Sequence, residues 1–328
     1  MRVTVVIVTY ANRFKFLDQT VQGCLEEGVE KIIVINNKSS KESSAKITKL
    51  SRRYSEKILV QNLDVNTGSA GGFNLGIQKS IKDQDCEFVW LLDDDNMPKN
   101  NSLIELKKAW VRLGCRSKKD SLLSYRPVKE NIGYKEAILT NNPDLVLGRN
   151  NSFLGFHLLD LFSKIKRKIR PSKRFETNEG LVTVAPYGGF FFHKDILQEI
   201  GLPNKDFFVY GDDHEWTYRI KKLKGRIFLI LNSIIMDTDV SWNVKSNYQT
   251  NFDTLLSSSM DKVFYSTRNR MIFELDNIVD KNRIMYLINI ISFLIIITCM
   301  SIMKNNFKNI KIFIKAINKG LNKSFHDV

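Results

Sequence analysis

Phe88-Val89-Trp90-Leu91-Leu92 runs directly into Asp93-Asp94-Asp95. Five apolar residues without alternation fit a strand covered on both faces, and such strands belong to parallel sheets flanked by helices. The three aspartates then stand at the carboxyl end of that strand, where open α/β sheets bind their ligands. Upstream, Val3 to Val8, Ile32 to Ile35 and Ile58 to Val60 are further apolar runs. Between them lie helical stretches: Phe14, Leu17, Val21, Cys24 and Leu25 at helical spacing, a segment closing with Leu50 to Glu56, and Gly72 to Ile81. This alternation predicts a parallel α/β sheet with right-handed crossovers. It brings Thr9-Tyr10, Asn36-Asn37, Asn62 to Gly72 and Asp93 to Asp95 to one edge. Val3 to Val8 is not a secretory segment, because Thr9, Tyr10, Asn12 and Arg13 interrupt it too early.

From Asn100 to about Leu181 the pattern is weaker, with one helix expected over Leu103 to Leu113. Order returns at Val182 with Ala185-Pro186-Tyr187-Gly188-Gly189-Phe190-Phe191-Phe192 and a helix over Lys194 to Ile200. A helix is expected after Gly211-Asp212-Asp213-His214-Glu215-Trp216, and a strand over Arg226 to Leu231.

The 328 residues carry 50 Lys and Arg against 35 Asp and Glu, a formal charge of +15, with 43% hydrophobic residues. That composition excludes a disordered chain and suits a large core. The basic excess admits three partners: nucleic acid, an anionic membrane or a negatively charged substrate. Its position separates them. Lys164 to Arg174 holds seven basic residues and Lys281 to Lys323 eight, neither with an acidic one, which accounts for the whole excess. Cys24, Cys86, Cys115 and Cys299 have no paired spacing and read as reduced thiols.

Three segments carry candidate chemistry. Adjacent aspartates repel one another, so a cation is their natural counterpart, and hard divalent metals prefer oxygen ligands. A solvated acidic turn is the plain alternative. Asn66-Thr67-Gly68-Ser69-Ala70-Gly71-Gly72 sits between a strand and a helix, where close backbone approach and a helix N-terminus favour an anion. It is neither a Walker loop nor a dinucleotide fingerprint, and a ligand-free glycine turn is its other reading. In Gly211 to Trp216 the acidic residues suit a helix start electrostatically, and a carboxylate there can also take a proton from an acceptor hydroxyl. His214 is a base, a ligand or neither.

In sequence order, Val5-Val6-Ile7-Val8-Thr9-Tyr10 with Asn12-Arg13, Val34-Ile35-Asn36-Asn37-Lys38-Ser39 and Asn66 to Gly76 are followed by Trp90 to Asp95 and Tyr187 to Phe191. Phe207 to Trp216 and Tyr265-Ser266-Thr267-Arg268-Asn269-Arg270 complete the series. Together they resemble the family 2 glycosyltransferases over about residues 1–275, closest in appearance to bacterial galactofuranosyl- and rhamnosyltransferases. The resemblance implies an α/β GT-A (nucleotide-diphospho-sugar transferase) fold: a mainly parallel central sheet flanked by helices, with a C-terminal helical membrane-associating extension. Residues 1–99 would form the nucleotide-binding half, 180–275 the acceptor half and 276–328 the tail. Thr9, Tyr10, Arg13 and Asn37 would line the donor pocket, with Asn66, Gly71 and Gly72 near ribose or diphosphate. Asp93 and Asp94 would contact the donor. Asp93 and Asp95 would bind Mn2+ or Mg2+, and Asp237 would stand where the family often places a histidine ligand. Asp213 would be the general base, with Asp212 and Glu215 orienting acceptor or base. Asn36 departs from the family's usual aspartate. The implied reaction is inverting transfer from a UDP- or dTDP-linked sugar, UDP-galactofuranose first and dTDP-rhamnose second, to a lipid-linked glycan of a bacterial surface polysaccharide.

Met285 to Met303 has no charged residue and is long enough, as a helix of about 28 Å, to cross hydrocarbon. Beyond it, Ile310, Phe313, Ile314, Ile317 and Leu321 share one helical face and Lys308, Lys311, Lys315 and Lys319 another, the pattern of a helix lying on anionic lipid. A single span would carry those lysines to the far side, against the positive-inside tendency. Monotopic or re-entrant attachment at the cytoplasmic face is therefore expected over a true span, with burial in a homo-oligomer interface a third outlet for the apolar helix. Lys164 to Arg174 is either a second lipid-facing patch or a solvated loop. A sugar-phosphate nucleotidyltransferase would need a lysine-containing glycine loop where Thr9 to Arg13 stands, and no nucleic-acid-binding motif supports a DNA or RNA partner.

Overall fold

Strands β1 (Val3–Ala11), β2 (Lys31–Ser39), β3 (Ile58–Leu63) and β4 (Phe88–Asp93) are mutually parallel in the order β3-β2-β1-β4. Helices α1 (Phe14–Glu26), α2 (Lys41–Arg53) and α3 (Gly68–Ile81) connect them. A computed structural model describes residues 1–127, 132–160, 175–239 and 251–325. Lys164 to Arg174 lies outside the described residues. The apolar runs of β1, β2 and β4 are the buried ones, Val5, Val6, Val34, Ile35, Trp90 and Leu91 having no exposed surface, whereas the edge strand β3 leaves Leu59 exposed. The register pairs Val8 with Asp93, Thr9 with Asn36 and Asn36 with Asn62, which brings the carboxyl ends of all four strands to one edge.

The second half of the sheet is mixed. β5 (Asn96–Pro98), β6 (Asp120–Tyr125), β7 (Glu179–Val182), β8 (Phe190–His193) and β9 (Arg226–Asp237) extend the order as β4-β8-β6-β9-β5, with β7 on β9. β8 runs antiparallel between β4 and β6, and β6 and β9 run parallel. Among the described residues four strand pairings are parallel and four antiparallel, and three of the parallel ones lie in the first half. β9 extends past the predicted Leu231 to Asp237, and its end pairs Asp237 with Asn96.

Two hydrophobic layers cover the sheet, one of α1, α2 and α4 (Ser102–Arg112) residues and the other of α3, Tyr187 and Trp216. Helix α3 lies against β1 because two of its four glycines face that strand. A Cβ on Gly72 would stand 2.6 Å from Val8 Cγ1, and one on Gly76 would stand 2.3 Å from Val6 Cγ1.

The C-terminal helices fold back onto the domain. The Met260–Asn277 helix crosses position 275 without a break, and the Ile284–Met303 and Ile310–Leu321 helices pack with it around Phe153, Met271, Phe293 and Phe313. This corrects the expectation for the last helix. Phe313 and Ile317 are buried on the protein, leaving Ile314 and Leu321 exposed. The cause is an apolar partner close at hand: Gly320 sits so near Met271 that an added Cβ would be 2.7 Å from it.

Candidate active site

The aspartates that end β4 meet two arginines. Asp94 is buried; it accepts the Thr9 hydroxyl at 2.7 Å and Arg13 Nε at 2.9 Å. Its backbone carbonyl accepts the Thr20 hydroxyl at 2.9 Å. The same Arg13 guanidinium donates to Asp95 at 3.0 Å and to Asp239 at 2.8 Å, between the rings of Tyr10 and Phe16. Arg126, directly after β6, pairs with Asp237 at 2.9 Å and Asp93 at 3.6 Å. Asn96 joins the group by donating to Asp237 at 3.0 Å and Asp95 at 3.2 Å. Burial pushes Asp94 up to about 6, against Arg13 and Thr9. Asp93 is held above the usual carboxylate range by desolvation within the cluster, opposed by Arg126 and reinforced by Asp95, Asp94 and Asp237.

A second acidic group begins the Asp212–Lys222 helix. Asp212 is buried and accepts the Ser69 hydroxyl from the first turn of α3 at 2.9 Å. The Tyr187 hydroxyl faces the same carboxylate without closing a well-aligned hydrogen bond. Burial, then the adjacent Asp213, pushes Asp212 up to about 8. Asp213 is half-buried; its carboxylate accepts the His214 backbone N–H at 2.7 Å, and its charge reaches Tyr134, Tyr187 and His214. His214 lies 3.0 Å from the Tyr134 hydroxyl, and burial with Arg270 nearby holds it below the usual imidazole range, against Asp213. Glu215 is engaged elsewhere, in a bidentate pair with Arg219 at 2.9 and 2.6 Å.

Tyr187-Gly188 connects the two groups. Tyr187 packs on Phe73 and Trp216 on the Asp212 side, whereas a Cβ on Gly188 would meet Asn96 Oδ1 at 2.2 Å and Asp93 Oδ2 at 2.9 Å. Two carboxylate clusters thus stand on either side of one two-residue step.

The sequence pattern of glycosyl transferase family 2 matches residues 4–201, more than half of the chain. The chain belongs to that family. No curated protein matches it significantly. Among solved structures, GalNAc-T7 with UDP, GalNAc and Mn2+ superposes with a TM-score of 0.53 at 14% identity, over 72% of this chain and 44% of that one. The chain thus spans less than half of the GalNAc-T7 chain. S. aureus TarS 1-349 in complex with UDP-GlcNAc gives 0.52 at 14% identity, over 98% and 81%. The mannosyltransferase PcManGT from Pyrobaculum calidifontis, with GDP-Man and Mn2+, gives 0.50 at 11% identity, over 98% and 87%. These likenesses establish the GT-A fold.

In this family 2 chain the expected donor residues fall into different environments. Tyr10 is exposed at the rim and Arg13 lies beside it. Thr9 and Asp94 do not line an open pocket. Both are buried and bonded to each other, because the turn after β4 folds back onto α1. Asn37 is also buried; it donates to Asn66 at 3.1 Å and to the Gly68 carbonyl at 2.9 Å, and accepts the Thr67 N–H at 2.8 Å. Asn37 and Asn66 therefore clasp the glycine-rich turn. Gly71 and Gly72 are buried, with Thr67 and Val8 filling the space a side chain would take. The start of α3 is itself occupied, since the Ala70 N–H donates to the Phe208 carbonyl at 3.1 Å.

Among the described residues no three His, Cys, Asp or Glu side chains converge as a metal-ligand set. The donor chemistry nevertheless suits a hard divalent cation. Asp93, Asp94, Asp95, Asp237 and Asp239 gather around Arg13 and Arg126 as an all-oxygen set, and Asp95, Asp94 and Asp237 contribute to the raised pKa of Asp93. Sequence reading missed Arg126, Asn96, Asp239 and Ser69 as site residues. Arg126 follows β6, a strand within the weakly patterned stretch, and Asp239 lies beyond the observed end of β9 at Asp237, well past the expected Leu231.

Proposed function

We propose that this protein is an inverting, metal-dependent glycosyltransferase that moves a sugar from a nucleotide-sugar donor to a glycan hydroxyl. The observation that carries the reading is the Asp212–Asp213 pair across Tyr187-Gly188 from the Asp93–Asp95 cluster. The donor diphosphate belongs on the Asp93 side, where Tyr10 and Arg13 form the rim. Asp93 and Asp95, with Asp237 as the third carboxylate, would hold Mn2+ or Mg2+, which neutralises the charge of a leaving nucleoside diphosphate. Opposite, burial and the neighbouring Asp213 favour the protonated form of Asp212, whose carboxyl is fixed by the Ser69 hydroxyl. Asp213 is then the carboxylate that takes the acceptor proton as the hydroxyl attacks the anomeric carbon from the face opposite the leaving group. His214, kept neutral, buttresses the helix start through Tyr134.

UDP-galactofuranose is the first donor and dTDP-rhamnose the second, on the strength of the sequence resemblance. The acceptor is a lipid-linked glycan at the cytoplasmic membrane face. Residues 1–275 act as the catalytic unit, 1–99 holding the donor and 180–275 the acceptor, and 276–328, through the Ile284–Met303 helix, attach it to lipid. The test is a donor screen with and without Mn2+, reading thermal stabilisation and slow sugar-nucleotide hydrolysis. Metal-dependent hydrolysis of one nucleotide sugar is expected; stabilisation by none of them would remove the reading.

A further inference from the structure

The Ile284–Met303 helix has two faces of different chemistry. Its inward face is committed to the protein. Asn289 is fully buried, donating to the Asn151 carbonyl at 2.7 Å and accepting the Leu158 N–H at 2.9 Å. The Tyr286 hydroxyl donates to Glu274 at 3.0 Å, and Phe293 and Ile297 are buried beside Phe153 and Phe313. The outward face shows Ile284, Ile288, Ile291, Ile295 and Ile302 at three-, four- and seven-residue intervals, Ile291 exposed to 57% and Ile295 to 60%. A continuous apolar strip about 30 Å long is far from the single exposed apolar residues of an ordinary surface. Its charges stand only at the ends. Lys281 and Arg283 precede it, Lys304 and Lys308 follow, and all four are exposed, Lys304 also meeting Asp253. No acidic residue occurs from Lys281 to Lys323.

We infer that this helix lies flat in the headgroup region of an anionic bilayer. Its isoleucine face enters the lipid, and its Asn289 face stays on the protein. Apolar strip and basic ends together match an anionic interface, which rewards both. A transmembrane orientation would tear Asn289 and Tyr286 from their partners into hydrocarbon, where neither finds water. The attachment rests on the membrane part of the reading above and specifies its surface and geometry.

The test uses the full chain and vesicles of phosphatidylcholine with phosphatidylglycerol. In a Cys115→Ser, Cys299→Ser background, Ile284→Cys, Ile295→Cys and Ile302→Cys each carry an environment-sensitive dye, quenched by lipids labelled at known depths. Equal, shallow depths at all three positions are expected. A deep position 295 between shallow 284 and 302 would mean a span and overturn the inference. In parallel, Ile291→Glu with Ile295→Glu should weaken vesicle co-sedimentation by at least about tenfold. Because both positions face outward, circular dichroism and donor hydrolysis without vesicles should be unchanged. Undiminished vesicle binding by this double variant overturns the proposal, as does a dimer in sedimentation equilibrium that the variant dissolves while the parent ignores vesicles. Loss of donor hydrolysis with vesicle binding intact counts against the transferase reading alone.

Discussion

Asp212 and Asp213 are adjacent and chemically identical, and their surroundings separate them. Burial and the Ser69 hydroxyl fix Asp212, whereas Asp213 remains half-buried. Asp213→Asn should therefore keep fold and donor binding but lower transfer by at least about 10²-fold, the scale of general-base catalysis. Single-turnover sugar transfer with a calorimetric donor titration checks both halves, and near-normal turnover would exclude Asp213 as the base. Asp212 predicts something different. Folding raises its pKa to about 8, so its favourable contribution is complete below the ordinary carboxylate range and fades as pH climbs through 8. The unfolding midpoint should fall as pH rises from about 4 to about 8, and Asp212→Asn should narrow that fall. A drop of the same size in the variant would show that Asp212 is not the group responsible.

At the scale of elements, β1, β2 and β4 and their helices were legible because both faces of these strands are covered, leaving apolar runs no other reading, while the edge strand β3 showed only the short run Ile58 to Val60. β6 and β7 were not legible: Asp120–Tyr125 contains two serines that are buried in the fold, and Glu179–Val182 is only four residues long. The candidate site was half legible for the same reason. Its aspartates follow strong strands, whereas Arg126 follows a weak one and Thr9 turns inward through tertiary bonds no spacing reveals. The glycines divide likewise, since those of α3 serve packing while Gly188 keeps room for Asn96 and Asp93. Gly188→Ala forces a Cβ to 2.2 Å from the buried Asn96. Overpacking of this kind costs about 1–3 kcal/mol, so urea unfolding should shift by that amount, with donor affinity falling alongside. An unchanged midpoint would mean that the loop gives way freely.

Across the whole molecule, charge is distributed by task. The acidic clusters gather at one sheet edge, and the basic residues of the tail flank an apolar helix. Chelation should therefore abolish donor hydrolysis without detaching the protein from vesicles, and high salt should do the reverse. Hydrolysis that persists in EDTA would assign the neutralising role to Arg13 and Arg126 instead of a cation. The Arg13 contact with Asp239 has a further consequence, for synthesis. It joins positions 226 residues apart, so the emerging chain displays Arg13 and the three aspartates long before Asp237 and Asp239 exist. At roughly 5–20 residues per second, that interval lasts on the order of ten seconds. The acidic edge is thus completed late on the ribosome, and a chain interrupted before Asp239 carries the recognisable half of the site without its closing contacts.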